Sequence, residues 1–215
     1  MSTTYSIQVY NYSGAPRNYL LFQTVPVPDG QPDVYANVYQ SSGQIASGND
    51  SQVTFEMTDE FFAVLGTNPT PLADKVKVTT GSAASVTLSS GETPPEQPGT
   101  LCVDHLERRV SQLGEPNIFI GMGARGPSTQ GIVPVATVPA SPSYDFYFQP
   151  IVKYYIGTGE YEPETVVNIT EIGPVLDVDF TQLPGTSVTY TQGRDNHYTQ
   201  GPPPDSEAAK GHKKK

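Results

Sequence analysis

The sequence predicts an all-β protein, a β-sandwich built from two related, internally duplicated halves joined by a Pro-rich linker and one short helix. Three observations predict it. Breakers are abundant, with 20 Gly and 21 Pro in 215 residues, while charged residues are 16%, below the ~25% usual in soluble domains. Apolar and polar residues alternate in short segments that recur roughly every ten residues between turn formers. The order of these segments early in the chain is repeated later in it.

The first half covers residues 1–91. Tyr5-Ser6-Ile7-Gln8-Val9-Tyr10 alternates with period 2 and runs into the turn Asn11–Pro16. Tyr19-Leu20-Leu21-Phe22 is a short apolar strand, followed by the proline-spaced Val25–Gly30. Val34–Tyr39 is strand-like and ends at Ser41-Ser42-Gly43; Val53, Phe55 and Met57 then alternate with polar partners. Phe61–Leu65 reads as a buried strand closing on Gly66-Thr67, and Val76/Val78 and Val86/Leu88 predict two more strands about Gly81.

Residues 92–115 form the linker and the helix. After the breaker-rich Gly91–Gly99, Val103, Leu106, Val110 and Leu113 make an apolar stripe of helical period, so a helix is expected over Leu101–Leu113. Gly114 suits its C′ position and Pro116 stops it.

The second half, residues 116–191, repeats part of the first. Val53–Glu56 aligns with Phe146–Gln149, Phe61-Phe62 with Tyr154-Tyr155, and Gly66-Thr67 with Gly157-Thr158. After an insertion carrying Glu160-Tyr161-Glu162, Val76–Thr79 aligns with Val167–Thr170, Gly81 with Gly173, Val86 with Val178 and Leu88 with Phe180. Residues 192–215 lack apolar periodicity and read as a disordered tail.

Charge narrows the function classes. Residues 1–191 hold 7 Lys/Arg against 19 Asp/Glu, and residues 192–215 hold 5 against 3. An acidic body repels phosphate backbones, so no nucleic-acid partner is expected. No apolar run approaches the ~18 residues of a membrane span, and the Met1–Gln8 start lacks the basic and apolar regions of a secretory signal. The lone Cys102 excludes an internal disulfide framework and favours a reducing compartment. A soluble, cytoplasmic protein is therefore expected. Asn11-Tyr12-Ser13, Asn49-Asp50-Ser51 and Asn168-Ile169-Thr170 match the glycosylation sequon, a frequent chance match in a chain this rich in Asn, Ser and Thr.

The candidate chemistry is sparse. Gly121-Met122-Gly123-Ala124-Arg125-Gly126 matches G-x-G-x-x-G, but Pro127–Pro134 cannot open the helix a dinucleotide site needs, so a glycine hairpin is expected. On the expected helix, His105 with Asp104 and Glu107 could supply general acid–base chemistry, although no nucleophile accompanies them and the two acids also fit a solvated face. No His/Cys pair has zinc spacing, and Glu160, Glu162 and Glu164 or Asp177 and Asp179 read as solvated acidic turns; no metal and no cofactor are expected. The dense aromatics of the second half are the best surface clue. Tyr147, Tyr154, Tyr155 and Tyr161 are candidate ligand contacts, with one ring of each aromatic pair expected in the core and the other at the surface or the seam.

The reading that leads is a non-catalytic binding protein, recognising a small molecule, glycan or protein through loops or the seam between halves. The alternative is a cofactor-free isomerase, cyclase or lyase acting near the helix. A third is a self-assembling structural protein, with homo-oligomers formed through uncovered strand edges.

Overall fold

A computed structural model describes residues 2–23, 34–48, 50–85, 101–103, 117–127, 131–140, 146–148 and 151–204. The protein is all-β, with no helix among the described residues. Fifteen strands run in chain order: β1 (Thr4–Asn11), β2 (Arg17–Phe22), β3 (Tyr35–Ala36), β4 (Val38–Ile45), β5 (Gln52–Thr58), β6 (Phe61–Thr67), β7 (Thr80–Ser85), β8 (Leu101–Val103), β9 (Ile118–Arg125), β10 (Ile132–Pro139), β11 (Phe146–Phe148), β12 (Lys153–Thr158), β13 (Leu176–Asp179), β14 (Ser187–Gln192) and β15 (Tyr198–Gln200). Three sheets have the orders β15-β14-β1-β5, β3-β10-β9-β6-β7 and β13-β12-β2-β4, and β8 pairs with β11 in a two-stranded ribbon. All pairings are antiparallel except β1 with β14.

The period-2 segments at Tyr5 and Val53, the apolar runs at Tyr19 and Phe61 and the aromatic pair at Tyr154 all form strands. Alternation along them sorts side chains between two sides of a sheet. On β2, Tyr19 and Leu21 enter a central core shared by all three sheets, with Ile7, Phe55, Ile120, Met122, Val135 and Ile156. Leu20 and Phe22 point to the opposite face, where Val167 and Ile172 cover them. The five-stranded sheet is covered likewise: Val64 and Phe119 pack under Val78 and Val166. The covering residues come from the two long loops after β6 and β12, residues 68–79 and 159–175. These loops pair where they meet, through a bridge between Lys77 and Thr165 and the bonds Val166 N to Val76 O (2.9 Å) and Lys75 N to Val166 O (3.0 Å).

The sheets mix strands from both ends of the chain. β9 and β10 join β6 and β7, and β12 and β13 join β2 and β4, so a boundary at 91–116 cuts through two sheets. These two sheets also read alike, as β7-β6-β9-β10 and β13-β12-β2-β4. Phe62 faces Ser85 across β6–β7, and Tyr155 faces Asp177 across β12–β13. A one-residue bulge at Tyr39 lies opposite Leu21–Phe22, and another at Val135 lies opposite Met122–Gly123.

Several expectations are corrected. Leu101–Val103, expected as the first helical turn, is the strand β8, in which Cys102 faces Tyr147; pairing with an aromatic strand satisfies backbone groups that a first helical turn leaves open. Residues 104–116, with the rest of the expected helix, lie outside the described residues, as do Val86 and Leu88. Ser41–Gly43 lies within β4 rather than in a turn, and Val76–Thr79 and Val167–Thr170 are loop segments rather than strands. Val34–Tyr39 is interrupted at Asn37, where the chain passes from one sheet to another. The fully buried Asn37 side chain makes that corner by accepting from Thr137 Oγ1 (2.9 Å) and donating to Glu164 O (3.3 Å). The glycine run is strand β9 and its hairpin, closed by Gly126 N to Gly131 O at 2.9 Å. At Gly121 a Cβ would lie 2.1 Å from Ala136 O, so only glycine lets the strands approach.

The expected tail from residue 192 is ordered as far as residue 204, while residues 205–215 lie outside the description. Gln192, 1% exposed, accepts from Tyr19 Oη at 2.7 Å and donates to Tyr198 Oη at 3.3 Å. This polar chain pins the β14–β15 hairpin against β2, by bonds that apolar periodicity does not register.

Two predictions follow from this packing. Residues 1–91 lack β9 and β10, the partners of β6 and β3, so fragments 1–91 and 92–215 should each be unfolded by circular dichroism and regain strand signal when coexpressed. A cooperative melt of isolated 1–91 would count against it. The second concerns alkali. Burial pushes the phenols of Tyr19, Tyr154 and Tyr198 up, and that of Tyr39 up to about 12. A phenol raised in the folded state keeps its full contribution to stability below the ordinary value of ~10 and loses it as pH rises through the folded value. The melting temperature should therefore hold between about pH 7 and 9 and fall steeply above about pH 10; a flat profile through the phenol range would contradict it.

Candidate seam groove

A groove of about 360 Å³ opens where the paired loops meet the sheet-switching strand. Val34, Tyr35 and Ala36 form one wall, and Val166–Thr170 form the other with Asp74. The volume and the mainly apolar lining with a few polar groups are those of small-molecule sites. A second cavity of about 400 Å³ lies by Thr4, Gln40, Thr54, Glu56, Thr58 and Arg125. Its cation is already paired, with Arg125 Nε 2.8 Å from Glu60 Oε2.

The sequence shapes the seam groove locally. Asn168 Oδ1 accepts from Thr170 N (3.1 Å) and Thr170 Oγ1 (2.8 Å), an Asx turn that breaks the strand expected over Val167–Thr170. The turn aims Asn168 N at Asp74 Oδ1, 2.9 Å away, and Tyr161 Oη donates to the same oxygen at 3.1 Å. Lys75 follows Asp74 in the left-handed region, with φ 63°, and its Nζ lies 5.9 Å from the Tyr161 ring centre. Burial, with the bond to Asp74 next, pushes the Tyr161 phenol up to about 12, so it stays a donor at neutral pH. Asp74, in the loop after β6, is thus fixed by two donors from the loop after β12.

The candidate tyrosines separate. Tyr154 is 2% exposed, edge-on to Phe180 at 6.1 Å, and offers no surface to a ligand. Tyr155 is half-buried, stacked on Phe22 at 5.8 Å with Lys153 Nζ 5.4 Å from its ring centre. Tyr147 lies in β11, opposite Cys102. Tyr161 bonds a groove residue, Asp74. His105, Asp104 and Glu107 lie outside the described residues, and the described residues that line the groove include no His or Cys.

The acidic turns have local partners. Glu162 pairs with Lys77 at 3.0 Å and Asp177 with Lys153 at 2.8 Å. Asp179 accepts from Thr181 Oγ1 at 2.6 Å, which holds its carboxyl below the usual range, whereas burial raises Glu164. Among the described residues no group of three or more His, Cys, Asp or Glu is placed to hold a metal ion, and no helix is long and apolar enough to cross a membrane.

Asp74, Asn168 and the Val34–Ala36 wall carry no sequence motif for binding. The usable signal was the Asn-x-Thr spacing at 168–170, an Asx-turn pattern inside a segment read as strand. No protein-family model, curated protein or solved structure matches the chain.

Removing the Asp74 acceptor tests the seam. Asp74→Ala leaves two donors without their partner and should cost about 1–3 kcal/mol in urea unfolding. Asp74→Asn keeps an Oδ1 acceptor for both and should cost clearly less; equal losses would show that the bonds contribute nothing.

Proposed function

We propose that the chain is a non-catalytic binding protein that takes a small molecule in the seam groove, between loops supplied by two duplicated halves. The observation that carries this reading is the groove itself: apolar walls converging on one fixed carboxylate, at the only described point where the loops after β6 and β12 pair. The duplication is supported by the matching sheet orders, the equivalent Phe62/Ser85 and Tyr155/Asp177 registers and the two corresponding bulges. The halves have exchanged strands, since β6 pairs with β9 and β12 with β2. The single Cys102 supports a cytoplasmic setting, and the acidic body supports ligands other than nucleic acid.

A thermal-shift screen with small molecules, glycans and calcium tests it. A groove ligand at ~100 times its dissociation constant should stabilise the fold by ~2.7 kcal/mol, and Ile169→Trp, which fills the groove, should abolish that shift. A shift that survives Ile169→Trp but disappears in His105→Ala would instead favour the cofactor-free enzyme.

A further inference from the structure

The charge of the groove defines its ligand more narrowly, on the reading that the groove is a ligand site. Among the described residues Asp74 makes no ion pair: Lys77, Arg125 and Lys153 are each engaged with other acids. The donors from Asn168 and Tyr161 both converge on Oδ1, and none from a described residue reaches Oδ2. Lys75 sits over the Tyr161 ring, and the described residues that line the groove include no Lys or Arg. A second acid is near, since Asn168 Nδ2 donates to Glu171 Oε1 at 3.3 Å.

An anion brought into this groove would meet Asp74 without a cation to offset it. A neutral apolar ligand would strip water from the carboxylate without replacing its hydrogen bonds, which is costly. A cation does neither, and with 19 acidic against 7 basic residues over positions 1–191 the surrounding field draws cations inward. We propose that the groove binds a small amphipathic ammonium, its protonated amine on Asp74 and its apolar body against Ala36, Val167 and Ile169.

The test is a titration of the ¹⁵N-labelled full-length protein with 2-phenylethylammonium, 2-phenylethanol and phenylacetate, which share a ring and differ in charge. The ammonium should shift the amides of Asn168, Ile169 and Thr170 and bind at least about tenfold more tightly than the alcohol, with phenylacetate inert up to about 10 mM. Asp74→Asn keeps the Oδ1 acceptor and should bring ammonium and alcohol to equal affinity, its amide dispersion reporting that it is folded. If ammonium and alcohol bind the wild type equally at the groove, or Asp74→Asn binds the ammonium unchanged, the cation assignment fails while the groove reading stands. If none of the three moves the groove amides, the groove reading fails and the cation assignment with it.

Discussion

Two of the three sheets are apolar on both faces, and the rest of the structure follows from having to cover each of them twice. The inner faces meet at one core, where Tyr19, Leu21, Met122 and Ile156 are buried together. The outer faces present Leu20 and Phe22 on one side and Val64 and Phe119 on the other. Burying side chains of that size contributes roughly 1.5–3 kcal/mol each, so leaving an outer face wet is not an option for a chain of this size. The loops after β6 and β12 supply the covers, and because both reach inward they meet and pair. Their pairing is one of the points at which the two ends of the sequence become one structure.

Strand exchange reinforces this. β6 lies between β7 from its own end of the chain and β9 from the other, and β12 lies between β13 and β2 in the same way. Under the duplication we propose, an ancestral unit would have been one half of each sheet, with an open edge at the equivalents of β6 and β2. Joining two copies in one chain closes those edges by mutual addition, which removes the liability of an unpaired central edge. The C-terminal hairpin adds the last cover, held by the polar chain from Tyr19 through Gln192 to Tyr198.

The fold class was legible because alternation is a direct imprint of a two-sided sheet: Tyr5–Tyr10 and Val53–Met57 read correctly from period alone, and the start of β6 from its apolar run. What was not legible depends on partners distant in sequence. β1 pairs in parallel with β14, Ile7 opposite Val188, a register set only when the core closes. β15 has a single apolar residue, Tyr198, and is stabilised by hydrogen bonds, so an apolar pattern misses it. Leu101–Val103 fits either a helix start or a strand, and only the neighbour across it, Phe146–Phe148, decides. Of the adjacent pair Tyr154 and Tyr155, which ring is buried was not legible, since neighbouring aromatic residues on a strand differ only in which face they take. Asp74 lay in a segment with no pattern at all.

Under the duplication we propose, the groove consists of what the two halves do not share. The connection from β9 to β10 is a short hairpin over residues 126–131, whereas that from β2 to β4 runs over residues 23–37 and contributes β3. Tyr35 of β3 goes to the cover of one sheet and Ala36 to the cover of the other, so this added segment straddles the seam and leaves Val34–Ala36 as a wall. The loop after β12 is likewise longer than that after β6, and its extra residues include Tyr161, which holds Asp74. On that proposal a repeated framework supplies rigidity, and the departures from the repeat supply an asymmetric groove. Such asymmetry would suit the receptor for one small ligand that we propose, because a groove with equal walls would present the same groups to both ends of whatever it bound.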